Sequence, residues 1–198
     1  GMVIKMNLKN KKIGFAVTGS FCTFKKAMQA CRDICAQGAE VFPIMSENAY
    51  STDTRFGDCK EFHDILTELS GKDIIKSIKE AEPIGPKGLL DLVIVLPCTG
   101  NTLAKLANGI TDTSVTMAVK AHLRNDRPVL IGVSTNDGLA GAAKNIGMVM
   151  NNKNIYIIPF AQDDCVKKPR SLVADFSAVI PAAEAALDGI QLQPMLSV

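Results

Sequence analysis

The chain has 198 residues, 47% of them hydrophobic and 21% charged, and a formal net charge of +2. That length supports one domain with a substantial core and needs no disulfide staple. The near-neutral charge supplies no electrostatic drive toward nucleic acid or a membrane surface, and no run approaches the ~18 apolar residues that span a bilayer. The whole of 1–198 therefore reads as a single domain, with Gly1 ahead of Met2 set aside as an expression scar.

In chain order, 12–18 (KIGFAVT) predicts a first strand, which ends in Gly19-Ser20. Phe24, Ala27, Met28, Cys31, Ile34 and Cys35 then recur at helical spacing, which predicts a helix over 23–37 stopped by Gly38. A second strand is expected over 40–45, leaving through Ser46-Glu47-Asn48. The polar stretch 48–58 follows no period and is expected to be a mobile loop over a site. Tyr50 and 51–55 would close over that site, with Arg55 as the guanidinium able to clamp a dicarboxylate. Helices are predicted over 60–69 and 73–81, and Pro83, Gly85, Pro86 and Gly88 then break the chain.

The apolar, branched run 92–96 (LVIVL) predicts a strand covered on both faces, stopped by Pro97. The segment after it, 97–112 (PCTGNTLAKLANGITD), is rich in hydroxyl, amide and glycine. A helix starting near Asn101 or Thr102 would aim its unpaired N–H groups and partial positive charge into that turn, where an anion such as phosphate fits. Gly100 would let a ligand approach the backbone, and Asp112 reads as the N-cap of a further helix over 112–124. A fourth strand is expected over 128–133, a helix over 137–150 and a fifth strand over 154–159. Pro181 belongs in the first turn of a final helix that reaches Asp188. The cluster Lys167-Lys168-Pro169-Arg170 reads as a solvated loop.

Six cysteines lie at 22, 31, 35, 59, 98 and 165 with no CxxC pair, and neither His63 nor His122 has a second ligand nearby in sequence. No metal site is expected. Free cysteines without a secretory signal point to the cytoplasm. His63 sits among Phe62, Ile65, Leu66 and Leu69 on an amphipathic helix and reads as a packing or surface histidine.

Strands separated by helices give a three-layer α/β domain with a doubly wound, mainly parallel sheet. In such a sheet the ligand crevice lies beyond the carboxyl ends of the strands. Those ends here carry Thr18-Gly19-Ser20, Ser46, Cys98-Thr99-Gly100-Asn101-Thr102 and Ser134-Thr135-Asn136. This chemistry suits hydrogen bonding to a phosphate and a polar ring edge. It offers no paired acid and base, and neither GxGxxG nor GxxxxGK[ST] occurs.

Gly19-Ser20, Ser46 and above all PCTGNTLAKLANGITD resemble the flavoprotein family of FMN-binding Rossmann-like domains, which includes flavin-containing cysteine decarboxylases and flavin prenyltransferases. The resemblance spans 12–159 and is most specific over 91–112. It implies an FMN site in which Gly19, Ser20 and Phe21 hold the phosphate and ribityl region, with Ser46 as a further phosphate contact. By the same likeness Cys98, Thr99, Gly100, Asn101 and Thr102 line the isoalloxazine and phosphate loop. Ser134, Thr135 and Asn136 stand where the decarboxylases carry an Ala-Met-Asn segment that meets substrate. Over the whole chain, including VLIGVSTNDGLAGAAKNIGMVMNNKNIYIIPF, the pattern is similar to a branch of that family from spore-forming bacteria.

That branch implies oxidation of a small ring dicarboxylate alongside a dehydrogenase-like partner with its own nicotinamide cofactor, NADP, in the cytoplasm of the sporulating mother cell. The family also implies a homo-oligomer, a trimer or dodecamer. The departures narrow the chemistry. Cysteine decarboxylases place a catalytic histidine eight residues before the aspartate that opens this strand, where this chain has Pro83. Prenyltransferases carry a basic residue where Asn101 stands. A stand-alone decarboxylase or prenyltransferase is thereby disfavoured, and no catalytic residue is assigned. Cys98 reads as a small residue fitted beside a ligand rather than a thiolate. A cofactor-free protein with a binding or assembly role is the remaining alternative.

Overall fold

The computed structural model describes residues 7–197, and Gly1, read above as a scar, lies outside them. The elements in order are β1 (Lys12–Val17), α1 (Phe24–Ala36), β2 (Glu40–Met45), α2 (Glu47–Ser51), α3 (Cys59–Ser70) and α4 (Ile78–Ala81). They continue with β3 (Leu92–Cys98), α5 (Gly100–Ala107), α6 (Ser114–Leu123), β4 (Val129–Thr135) and α7 (Ala143–Met150). The chain closes with β5 (Ile155–Ile157), β6 (Phe160–Asp164), β7 (Lys168–Ala174) and α8 (Val179–Leu187).

The strands form one seven-stranded sheet in the order β2-β1-β3-β4-β7-β6, with β5 also pairing β4. Pairings among β1 to β5 are parallel. Strand β3 is buried along its whole length because both faces are covered. Leu92, Ile94 and Leu96 pack with α1, α3 and α8, while Val93, Val95 and Cys98 pack with α5, α6 and α7. The chain leaves β1 toward β2 on one side and returns to β3 on the other. The crevice between their carboxyl ends is therefore the switch point of the sheet.

Several local expectations need correction. Pro97 does not end its strand, since β3 runs on to Cys98 through a register shift after Val95. Proline has no N–H to donate there, and its carbonyl is taken instead by the Thr18 hydroxyl at 2.7 Å. Segment 73–81 is helical only at α4, because Ile75 adds to the exposed edge of β2 (Ile75 N to Pro43 O, 2.9 Å; Met45 N to Ile75 O, 2.9 Å) and Ser77 caps the helix afterwards. Helix α6 is capped by a box between Thr113 and Thr116, while Asp112 pairs with Lys105 at 2.8 Å. Helix α7 begins at Ala143, since the Asp137 carbonyl accepts from Ala140 and Ala142 and holds the preceding residues in turns.

The region 48–58 is not a structureless loop. Ser46 caps α2 by accepting from Ala49 N, and Thr54 and Gly57 close a tight turn with two backbone hydrogen bonds of 3.1 Å each. The antiparallel β6–β7 hairpin is the element furthest from expectation, and it divides the basic cluster, leaving Lys167 in the turn and placing Lys168 to Arg170 in β7. Strand β5 pairs with the first half of β4 at Val129–Ile131, whereas β7 pairs with its end at Ser134 and Thr135. The hairpin thus extends the sheet at its carboxyl end and gives the crevice a wall.

Candidate functional site

The turn after β1, the Thr54–Gly57 turn, the turn after β3, the end of β4 and the β6–β7 hairpin enclose a cavity of about 740 Å3. Of the twelve residues expected to bind cofactor, Gly19, Ser20, Phe21, Thr99, Gly100, Ser134, Thr135 and Asn136 line it. Their placement follows from hydrogen bonds between loops that are far apart in sequence. The Ser20 and Ser134 hydroxyls lie 2.8 Å apart, and Thr23 Oγ1 donates to the Ser20 carbonyl and approaches its hydroxyl at 3.1 Å. Thr18 Oγ1 accepts from Thr99 N at 3.0 Å, which ties the β1 turn to the β3 turn.

The other four expected residues do not line the cavity. Ser46 is spent on the α2 cap and buried. Thr102 is buried in the first turn of α5, where its N–H donates to Thr99 Oγ1 at 3.1 Å, so Thr99 is the cap of a helix that starts at Gly100. Asn101 is exposed and lies outside the cavity lining. Cys98 is fully buried in the core, and burial pushes its thiol up to about 12. It is therefore a neutral apolar filler and not a thiolate nucleophile.

Gly100 has a role the sequence does not reveal. A Cβ there would meet Thr135 Oγ1 at 2.6 Å and Asp137 Oδ1 at 3.3 Å, and the Thr135 hydroxyl donates to that same carboxylate at 2.6 Å. The glycine permits α5 to dock against the end of β4. The partial positive charge at the start of α5 consequently faces Asp137.

Charge in the cavity comes from residues outside the strand-end motifs. Lys26, Arg55 and Lys168 line it against a single carboxylate, Asp163, which pairs with Lys168 at 2.8 Å. Cys22, Thr23, Phe56, Ser171 and Val173 complete the lining. The hairpin residues are hard to find in sequence because 160–178 follows no clear period. The available signal is a pair of short stretches around Cys165-Val166-Lys167, a turn in which Asp164 Oδ1 accepts from Val166 N and Lys167 N. Neither histidine lines the cavity: His63 hydrogen-bonds the Tyr50 carbonyl at 2.7 Å and stacks on its ring, and His122 is buried on α6. Among the described residues no helix is long and apolar enough to cross a membrane. One compact group of potential metal ligands exists among them, the exposed or half-buried Asp53, Asp58 and Cys59. Its carboxylates already accept backbone N–H groups.

Comparison with known proteins agrees with this fold. The flavoprotein family matches residues 4–168. The B subunit of dipicolinate synthase from Bacillus subtilis (strain 168) is 46% identical over 190 residues, covering 96% of this chain and 95% of that protein. The crystal structure of the dipicolinate synthase B subunit from Bacillus halodurans matches with a TM-score of 0.89 at 42% identity, over 97% of this chain and 98% of that one. The FMN-dependent cysteine decarboxylase SpaF matches at a TM-score of 0.69 over 91% of this chain and 99% of its own, with 19% identity, and so shares the fold.

Proposed function

The chain belongs to the flavoprotein family, and from that membership we propose that it is the B subunit of a dipicolinate synthase. In this reading it works with the A subunit of dipicolinate synthase during sporulation, in the cytoplasm of the mother cell, to oxidise dihydrodipicolinate to dipicolinate (pyridine-2,6-dicarboxylate). The carrying observation is the match along nearly the full length of both chains to a protein of that name, together with the polar crevice at the switch point.

The residues present fit FMN. A cavity of about 740 Å3 lies within the range of about 300–1,000 Å3 usual for small-molecule sites. Lys26, which lines the cavity together with the Ser20 and Ser134 hydroxyls, suits a phosphate dianion, and Phe21 offers an apolar face. Gly19, Ser20, Phe21, Thr99, Gly100, Ser134, Thr135 and Asn136 would hold the group. When bound, the flavin supplies two-electron redox chemistry.

The chain's own part is binding and orientation. The Ser20–Ser134 bridge holds the β1 and β4 ends at one spacing, and the β6–β7 wall screens that side from water. Aromatisation of the ring releases two electrons and two protons, and pyridine resonance provides the driving force. No imidazole faces the cavity among the described residues and the Cys98 thiol is buried away from it, which argues against the decarboxylase alternative. In this reading the protons pass to solvent or to a group on the dehydrogenase-like partner. That partner would bring NADP, and this chain would form a homo-oligomer.

Purified protein titrated with FMN tests the reading by visible absorbance. Reconstitution with the dehydrogenase-like partner, with and without FMN, followed by spectroscopic detection of dipicolinate completes the test. The expected result is stoichiometric flavin and FMN-dependent product. Absence of FMN binding at high micromolar concentration with the partner present favours the cofactor-free assembly role instead, a reading consistent with Asp137 facing the start of α5.

A further inference from the structure

Resting on that reading, we propose that Arg55 is the specificity residue that makes this crevice select dicarboxylates over monocarboxylates. Arg55 and Phe56 are the two central residues of the Thr54–Gly57 turn, and both line the cavity. The turn is built rather than loose. Thr54 and Gly57 exchange two backbone hydrogen bonds, and Phe56 N donates to Thr54 Oγ1 at 3.2 Å. Gly57 sits so close to Phe62 that a Cβ would meet its ring at 2.8 Å. The tip is thereby held against α3, and its side chains extend from a fixed base.

The guanidinium is also left free. Asp53 and Asp58 flank it in sequence, but Asp53 accepts from Cys59 N at 2.8 Å and Asp58 from Lys60 N at 2.9 Å. Among the described residues no ion pair involves Arg55. Its central carbon lies 4.8 Å from the centroid of the Phe56 ring. That ring backs one face of the guanidinium and leaves its N–H edge for a bidentate carboxylate.

The remaining cations have other tasks. Lys168 is neutralised by Asp163. Lys26 stands one turn along α1 from Thr23, the residue that hydrogen-bonds Ser20 at the hydroxyl-rich end. A phosphate there engages Lys26, which leaves Arg55 as the cation with no assigned anion. A ligand with two carboxylates on a flat ring supplies it.

The test is calorimetric titration of the full chain with pyridine-2,6-dicarboxylate and with pyridine-2-carboxylate, comparing wild type, Arg55→Gln and Arg55→Lys. Wild type is expected to prefer the dicarboxylate by about tenfold or more, as a charge-assisted bidentate pair implies. Arg55→Gln loses that preference by weakening the dicarboxylate about tenfold while leaving the monocarboxylate within about twofold. Arg55→Lys falls between, because an ammonium cannot pair as a fork. Unchanged melting temperature and FMN affinity in both variants show that the fold and cofactor site are intact. A preference for the dicarboxylate in Arg55→Gln as large as that of wild type, or no preference in wild type, overturns the proposal. Failure of the flavin reading appears separately, as missing FMN binding in wild type, and leaves these titrations interpretable.

Discussion

Ser20 and Ser134 stand 114 positions apart in the chain, yet their hydroxyls meet at 2.8 Å where the end of β1 faces the end of β4. This contact couples the two loops on which the candidate flavin site depends. Thr23 reaches the same Ser20 hydroxyl, so three side chains share one small network.

Replacing Ser20 or Ser134 with alanine is expected to cost about 1 kcal/mol each, the usual worth of a part-buried neutral hydrogen bond. Urea denaturation of both single variants and the double variant checks this. The double variant should lose less than the sum of the singles, because each single change already breaks the bridge. Strict additivity would show that the two hydroxyls do not interact.

Gly100→Ala should destabilise the fold by about 1–3 kcal/mol, since its Cβ would stand 2.6 Å from Thr135 Oγ1. Adding Thr135→Ala should recover part of the loss by removing the obstructing hydroxyl. Thermal melts of the two variants decide it. A single variant as stable as wild type would mean that the end of β4 yields freely.

Thiol labelling should divide the cysteines by burial. Cys22 and Cys165 are exposed, whereas Cys31 and Cys98 are buried; a hydrogen bond with Cys35, then burial, hold the Cys31 thiol above its ordinary range, and burial does so for Cys98. Iodoacetamide at pH 8 followed by mass spectrometry should modify Cys22 and Cys165 within minutes and leave Cys31 and Cys98 intact until denaturant is added. Rapid modification of native Cys98 would restore it as a candidate nucleophile.

His122 should make stability fall in mild acid. It is 1% exposed, its Nε2 donates to the Pro128 carbonyl at 3.0 Å, and its Nδ1 has no partner among the described residues. Burial lowers it from 6.5 to about 4, with Arg127 adding to the effect and the Pro128 carbonyl opposing it. Between those two values the unfolded chain binds a proton that the folded chain does not, so stability is complete above pH 6.5 and falls as the pH drops toward 4. Integrated over the window, the loss is on the order of 3 kcal/mol. His122→Asn costs stability at neutral pH, but its pH slope between 6.5 and 4 should be shallower than that of wild type. Parallel slopes in urea melts at pH 7 and pH 4.5 would assign the acid sensitivity elsewhere.

The layers of the fold were legible because the two faces of each core element carry periodic apolar residues. The branched run of β3 and the 3.6-residue spacing of α1 describe elements buried on both faces or along one stripe, whatever their partners. Where tertiary partners override local pattern, legibility ended. Ile75 looks helical in sequence but pairs with the open edge of β2, and the half-polar β6 becomes a strand only when β7 is available to pair with it.

The same division holds at the crevice. Glycine and hydroxyl residues at the strand ends were determined by the sequence alone, because turns between buried strands and helices draw on those residue types and the doubly wound order places them together. Only the tertiary structure decided which of them face the cavity. Cys98 and Thr102 turn into the core, Ser46 is spent on a cap, and Gly100, while lining the cavity, also leaves the room in which α5 docks against Thr135. The charge of the site was decided there too. Lys26, Arg55, Asp163 and Lys168 come from elements remote in sequence, and a position along the chain carries no information about which side chains share a cavity until the strands have paired.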